Sequence, residues 1–238
     1  MTQNKHYWST IAEKYDSTVS ETGDQSQQLI INPIVEEFLG DLKGKVILDA
    51  GCGNGYWSRR MAKTAERVVG VDFTPELIEH AKRRGVPNNV QFLLGNLART
   101  TFLDNSFDTV LLNMVVLDLE DLSSVIHEIG RVTKDSGYVV VSTTHPCFEN
   151  PPHTQSVRDV QGNKVGRTIS HYFQTGLVED QSNHYQHYHH TVSEYLNVFA
   201  ENHLFVERMV EPNGAEMLNN GEVDHFPYFL IMKLKKLV

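Results

Sequence analysis

Three glycines at alternate positions, Gly51, Gly53 and Gly55, follow Asp49 out of the apolar run Val46, Ile47, Leu48. Residues without a Cβ let a backbone turn sharply and lie close to a ligand. A second acid, Asp72, ends the next apolar run, which begins at Val68. A carboxylate at the tip of the strand after such a turn can accept hydrogen bonds from ribose hydroxyls. The chemistry suggested is the cradling of a nucleoside-like ligand by backbone and one acid. The surrounding elements agree. An apolar run ended by glycines reads as a buried parallel strand. The stretch 56–63, with Trp57, Met61 and Ala62 apolar, reads as a short helix on a sheet, its N-terminus pointing across the turn.

Three nucleotide-site patterns fail at this turn. A Walker loop needs Lys-Ser/Thr after its last glycine, where Tyr56 and Trp57 stand. The dinucleotide fingerprint G-x-G-x-x-G needs glycine at 56, which speaks against an NAD enzyme. A nucleophile elbow needs serine at 53. What remains, D-x-G-x-G-x-G, resembles the first motif of the class I S-adenosylmethionine (SAM)-dependent methyltransferases. Three further features in the same order extend the resemblance over about residues 45–144: Asp72 with Phe73 behind it, the strand 90–97, and "FD-V" at 107–110 opening a fourth strand. The resemblance implies that Asp49, Gly51, Cys52, Gly53 and Gly55 shape the cofactor turn, and that Asp72 holds the ribose. Phe73 and Leu97 would sandwich the adenine. Asn96 stands where the family often has an acid for the adenine amino group; its side-chain carbonyl can accept the same bond without charge. Asn113 lies where a backbone carbonyl would meet the methionine ammonium.

The chain has 238 residues, 40% hydrophobic and 21% charged, enough for one α/β domain with elaborations. Net charge is 21 − 30 = −9, and the few basic clusters read as solvated faces, so a nucleic-acid substrate is not expected. No apolar stretch approaches membrane length and the N-terminus is not a signal peptide; two isolated cysteines form no disulfide framework. The expectation is a cytoplasmic protein, monomer or homodimer, without a membrane partner. The expected architecture is a three-layer, doubly wound α/β fold with a mostly parallel seven-strand sheet, an antiparallel edge strand, a helical cap and an insertion after strand five. Its parts are a cap at 1–44, a cofactor-binding core at 45–144, a substrate-side insertion at 145–190 and a C-terminal helix and edge hairpin at 191–238.

Within the cap, Tyr7, Trp8, Ile11, Ala12 and Tyr15 form a helical stripe over 4–16. It resembles the N-terminal cap of small-molecule methyltransferases, with Trp8 and Tyr15 as cofactor contacts. Residues 17–27 read as a mobile loop or hinge, and 28–39 as a helix. A helix is expected at 118–132 and a fifth strand at 137–144; the pattern over 145–190 is without clear periodicity, as in a stretch that is functional or carries small elements of its own. Thr191 and Glu194 form a capping box opening a helix over 192–202. Strands follow at 204–212 and 226–234, with a loop at 213–225 between them.

Methyl transfer from a sulfonium needs alignment and water exclusion, and a base only when the acceptor carries a proton. Such a base need not exist. His145 follows the fifth strand at the carboxyl edge of the sheet, within a Thr-x-His-Pro-x-Phe run that resembles a bacterial small-molecule subgroup. It is the first candidate for base or substrate orienter, nearly balanced by a capping role. His189 is the second. The run 184–190 holds four histidines but no cysteine or carboxylate, so no metal is assigned. Tyr172, Phe173, Tyr185 and Tyr188 are candidate aromatic walls for a planar acceptor. The expected function is methylation of an N, O or C atom of a small metabolite. The alternative is a SAM-binding regulatory or assembly protein that no longer transfers methyl groups.

Overall fold

The fold is organised by the strand that precedes the glycine turn. In the computed structural model, which describes residues 3–148, 154–180, 185–213 and 226–238, β1 (Val46–Ala50) pairs in parallel with β2 (Arg67–Asp72) on one side and β4 (Phe107–Asn113) on the other. Next to β2 lies β3 (Val90–Leu94), and next to β4 lies β5 (Thr133–Thr144). The last strand, β11 (Phe229–Lys236), inserts between β5 and β10 (Leu204–Val210), antiparallel to both. The order β10-β11-β5-β4-β1-β2-β3 gives the expected seven-strand sheet. Strand order reverses between β1 and β4, and a crevice opens beyond their carboxyl ends at such a switch point.

Alternation along the strands feeds two cores, so central strands are apolar on both faces. Leu48, Val69, Leu112 and Val141 pack toward α5 (Leu122–Val132) and α6 (Val192–Glu201), meeting Ile126, Ile129, Tyr195 and Phe199. Ile47, Val68, Leu111 and Val140 pack on the opposite side with Phe38 from α2 (Asn32–Leu39), Trp57 and Met61 from α3 (Tyr56–Met61), and Ile78 from α4 (Pro75–Arg83). At about 25 cal/mol per Å² of buried apolar surface, two filled cores dominate the stability of the sheet.

Several element limits differ from expectation, each for a local reason. The first helix, α1 (Gln3–Val19), runs three residues past the expected end. The hinge shrinks to a short turn closed by reciprocal caps: Gln27 N donates to Asp24 Oδ1 and Asp24 N to Gln27 Oε1. The second helix opens as a π-helical turn, Gln27–Ile31; Pro33 has no N–H to give Leu29, and the backbone widens just ahead of it. Helix α5 begins at Leu122 because Asp121 caps it, accepting from Ser124 N at 3.0 Å. That leaves Val116–Asp118 as a separate 3-10 turn after β4. Thr191 caps α6 as expected, but Glu194 turns away from the capping box and meets His190.

The stretch 145–190 carries small elements of its own: its described residues hold two antiparallel hairpins, β6 (Thr154–Arg158) with β7 (Lys164–Ile169) and β8 (Gly176–Asp180) with β9 (Tyr185–His189). Their strands are polar on both faces, so no period-2 apolar signal marked them. Most of the expected loop 213–225 lies outside the described residues.

Candidate cofactor and acceptor site

The glycine turn is bent by left-handed backbone and closed by neighbours. Gly51 has φ 75°, and a Cβ there would stand 2.5 Å from Val115 Cγ2 beyond the end of β4. Gly53 has φ 54°, and its Cβ would meet the Tyr15 ring and hydroxyl at 3.2 Å. Glycine is therefore required twice over, by conformation and by space. Just past β4, Met114 also adopts a left-handed φ, 56°, an uncommon conformation for a side chain of that size. Ser142 pins it: Met114 N donates to Ser142 O at 2.9 Å, and Ser142 Oγ donates to Asn113 Oδ1 at 2.8 Å.

Two carboxylates lie inside the turn. Asp49 is 2% exposed and accepts from Ser58 Oγ at 2.5 Å. Burial pushes its pKa up to about 7, with Asp72's charge adding to the effect and the Ser58 bond opposing it. Asp72 accepts from Gly53 N at 3.0 Å and Thr74 N at 2.8 Å. Burial raises its pKa in spite of those bonds. Beyond the turn, Asp118 is raised well above the carboxylate range, by burial first and then by Asp72's charge. The nearby cation does not answer these acids directly. Arg59 donates to the carbonyls of Ala81 and Asn54, and burial lowers its pKa. Desolvated carboxylates favour the arrival of a cation.

The expected cofactor residues separate into two groups. Trp8, Tyr15, Asp49, Gly51, Cys52, Gly53, Gly55 and Asp72 come together at the turn. Trp8 packs edge-on against Tyr15 with ring centroids 5.4 Å apart, so α1 lies over the glycines. Cys52 is buried, and burial raises its thiol pKa, helped by Asp49 and Asp72. Leu97 is buried and Phe73 half-buried at the strand tips. Asn96 is exposed, its side-chain carbonyl accepting from Ala98 N at 2.9 Å. Asn113 donates to Tyr56 Oη at 3.2 Å.

After β5 and on β9, the two candidate histidines hold hydrogen bonds. His145 is 4% exposed; its Nε2 meets Glu211 Oε1 at 2.7 Å, and its Nδ1 accepts from Cys147 N at 3.1 Å. His189 is fully buried, with Nε2 2.7 Å from Tyr172 O. Tyr172 Oη accepts from Val192 N and so ties the second hairpin to α6. Phe173 is 86% exposed. Tyr188 is buried, its pKa raised by burial and by Glu120. The side chain of Tyr185 and all of His184 lie outside the described residues. Among the described residues, no group of three or more His, Cys, Asp or Glu is placed to hold a metal ion. No described helix is long and apolar enough to cross a membrane.

Sequence reasoning missed Asn54, Asp16 and Asp118. Asn54 lies within the glycine motif and is completely buried, yet a spacing pattern treats it as a free position. Asp118 was absorbed into a helix that starts four residues later.

Residues 48–141 match the family described as "Methyltransferase domain". The chain is 33% identical over 107 residues to a malonyl-[acyl-carrier protein] O-methyltransferase of Hamiltonella defensa, covering 45% of this chain and 41% of that protein. It is 36% identical over 117 residues to a demethylmenaquinone methyltransferase of Lactococcus lactis, covering 46% of each. The matched region thus spans less than half the length of these relatives. A crystal structure of a SAM-dependent methyltransferase from Mesorhizobium loti superposes with a TM-score of 0.77 at 21% identity, covering 88% of this chain and 97% of that one. The sheet order and the superposition show that the chain has the fold of these methyltransferases, and residues 48–141 match the methyltransferase domain family.

Proposed function

We propose that the protein transfers a methyl group from SAM to an N, O or C atom of a small metabolite. The observation that carries this reading is the acid-walled glycine turn. Asp49 and Asp72 both have pKa values raised by burial, while the turn offers a cradle that side chains on 51 and 53 would fill. A ligand bearing a sulfonium and an ammonium suits such a site; a pyrophosphate does not. Each Asp72 oxygen holds one backbone N–H, which leaves a lone pair on each for ribose hydroxyls.

When bound, SAM supplies a methyl group already activated on sulfur. The chain's part is then to orient and enclose. Asp72 and the turn hold the ribose and amino-acid portions, Trp8 and Tyr15 cover them, and the second hairpin excludes water from the acceptor side. The distribution of acids also argues for a small acceptor over a polyanionic one.

The test is calorimetric titration with SAM, S-adenosylhomocysteine and NAD, on the wild type and on Asp72→Ala. The expected result is micromolar SAM binding, weakened in the variant by roughly 1–3 kcal/mol. Absence of SAM binding, or tighter binding of NAD, overturns the reading.

A further inference from the structure

The turn after β4 carries a carboxylate that cofactor binding alone leaves unused. Asp118 ends the turn Val116–Asp118, and its chain neighbours suspend it between the two sides of the crevice. Three residues before it, Val115 packs on Gly51 of the cofactor turn. One residue after it, the carbonyl of Leu119 lies 2.9 Å from His190 Nε2. Two after it, Glu120 interacts with Tyr188 of the second hairpin. Both β9 and β5 lie against the same turn. At the end of β5, Thr143 Oγ1 is buried with no hydrogen-bond partner among the described residues. By strand alternation Thr143 shares a face with Val141, which packs in one cluster with Val115 and Val116.

Asp118 is partly exposed, at the turn that lies between the cofactor loop and β9. Asp72 at the end of β2 acts on its charge, Glu120 acts on Tyr188 of β9, and β9, with His187 and His189, lies against the same turn. Two histidines here have ring nitrogens already engaged: His189 with Tyr172 O, and His190 with Glu194 and Leu119 O.

We propose that Asp118 is the acid–base group of the acceptor side, taking the proton of a neutral N–H or O–H acceptor such as a phenol or a heteroaromatic N–H. This rests on the reading that the crevice binds SAM. The step balances. A bond forms from the acceptor N or O to the methyl carbon as the carbon–sulfur bond breaks, its electron pair staying on sulfur; the acceptor proton passes to a carboxylate oxygen of Asp118. Charge balances as well, because a sulfonium and a carboxylate give a neutral thioether and a neutral acid. Neither charge is left alone in a crowded site, where an unpaired ion is costly. The Thr143 hydroxyl is available to hold the same acceptor.

The experiment compares wild type and Asp118→Asn in calorimetry with SAM and with S-adenosylhomocysteine, in buffers of different ionisation heat. Infrared difference spectra read the protonated carboxyl directly. SAM is expected to release protons from the wild type, because the incoming cation favours ionised carboxylates; S-adenosylhomocysteine, neutral at sulfur, releases fewer. Asp118→Asn should still bind SAM but lose part of that release and the matching carbonyl band. In an activity arm with tritiated SAM, transfer to phenols and heteroaromatic N–H compounds should fall on the order of 10²–10⁴-fold in the variant. If Asp118→Asn does not fold, Asp118→Glu replaces it, and restored proton release supports the role. Tight SAM binding with unchanged proton release and an unchanged carbonyl band in Asp118→Asn overturns the proposal and leaves the cofactor reading intact. So does transfer confined to tertiary amines, which have no proton to lose. A wild type that does not bind SAM at all overturns the reading beneath it.

Discussion

Asp16 on α1 and Arg84 at the end of α4 form a two-point ion pair, Nε to Oδ1 at 2.7 Å and Nη2 to Oδ2 at 3.0 Å. The same Oδ1 accepts from Asn54 Nδ2 at 2.9 Å, and Asn54 belongs to the glycine turn. One carboxylate thus fastens the helix that carries Trp8 and Tyr15 both to the sheet layer and to the cofactor loop. Burial alone would raise the Asp16 pKa, but the bonds from Arg84 and Asn54, with the charge of His80, outweigh it and hold the net value below the ordinary range.

Asp16→Ala should therefore loosen the cap. Losing a charge-assisted bond is expected to cost about 1–3 kcal/mol of stability and to weaken SAM binding roughly tenfold. A depressed carboxyl contributes stability that is present above about pH 4 and lost as the pH falls through its folded value. Thermal melts below pH 4 should then separate wild type and variant less than melts at pH 7; an equal separation at both would contradict the latch.

Asp49 gives the opposite sign. Its folded pKa, about 7, lies above its unfolded value, so its contribution is present at low pH and lost as the pH rises through about 7. Asp49→Asn keeps an acceptor for Ser58 and removes the charge. Its unliganded melting temperature should exceed that of wild type at pH 8 and converge with it below about pH 4. SAM should stabilise the variant less than the wild type, read as a smaller ligand-induced shift.

At Gly53 the added methyl of Gly53→Ala meets the Tyr15 ring at 3.2 Å and is forced into a left-handed backbone. The strain is about 1–2 kcal/mol. The variant should fold with lowered stability and show weaker SAM binding than Tyr15→Ala alone. Partial recovery in the double variant Gly53→Ala/Tyr15→Ala would identify the ring contact as the cause.

Glu128 offers a test remote from the site. It accepts from Arg131, from Thr100 N at 2.8 Å and from Thr100 Oγ1 at 2.6 Å. The Arg131 bond leads in lowering its pKa to about 2. Glu128→Gln should lower stability at pH 7 by about 1–3 kcal/mol, the difference fading between about pH 4.5 and 2. SAM affinity should not change. A change in affinity would mean that α5 and the crevice are coupled.

His145→Gln probes the first-choice base of the sequence reading. With one ring nitrogen on Glu211 and the other on Cys147 N, the imidazole acts as a strut between β5 and the end of β10. The expected outcome is a lowered melting temperature with the pH profile of methyl transfer unchanged. A profile that loses a limb in this variant would restore His145 as the base.

The sequence by itself determined the cofactor half of the molecule. Apolar runs ended by acids and glycines state which strands are central and which ends carry backbone for a ligand, because sheet burial and left-handed turns leave few residue types free. Gly51, Gly53, Gly55 and Asp72 were legible for that reason. The acceptor half depended on tertiary structure. The hairpins of 154–189 carry no apolar alternation, and the partners that His145 and His189 meet, Glu211 and Tyr172 O, come from segments far along the chain. Asp118 and Asp16 acquire their meaning from neighbours 46 and 68 positions away, Asp72 and Arg84. Local patterns reach a few residues along the chain; desolvation and long-range pairing exist only once the chain has closed on itself.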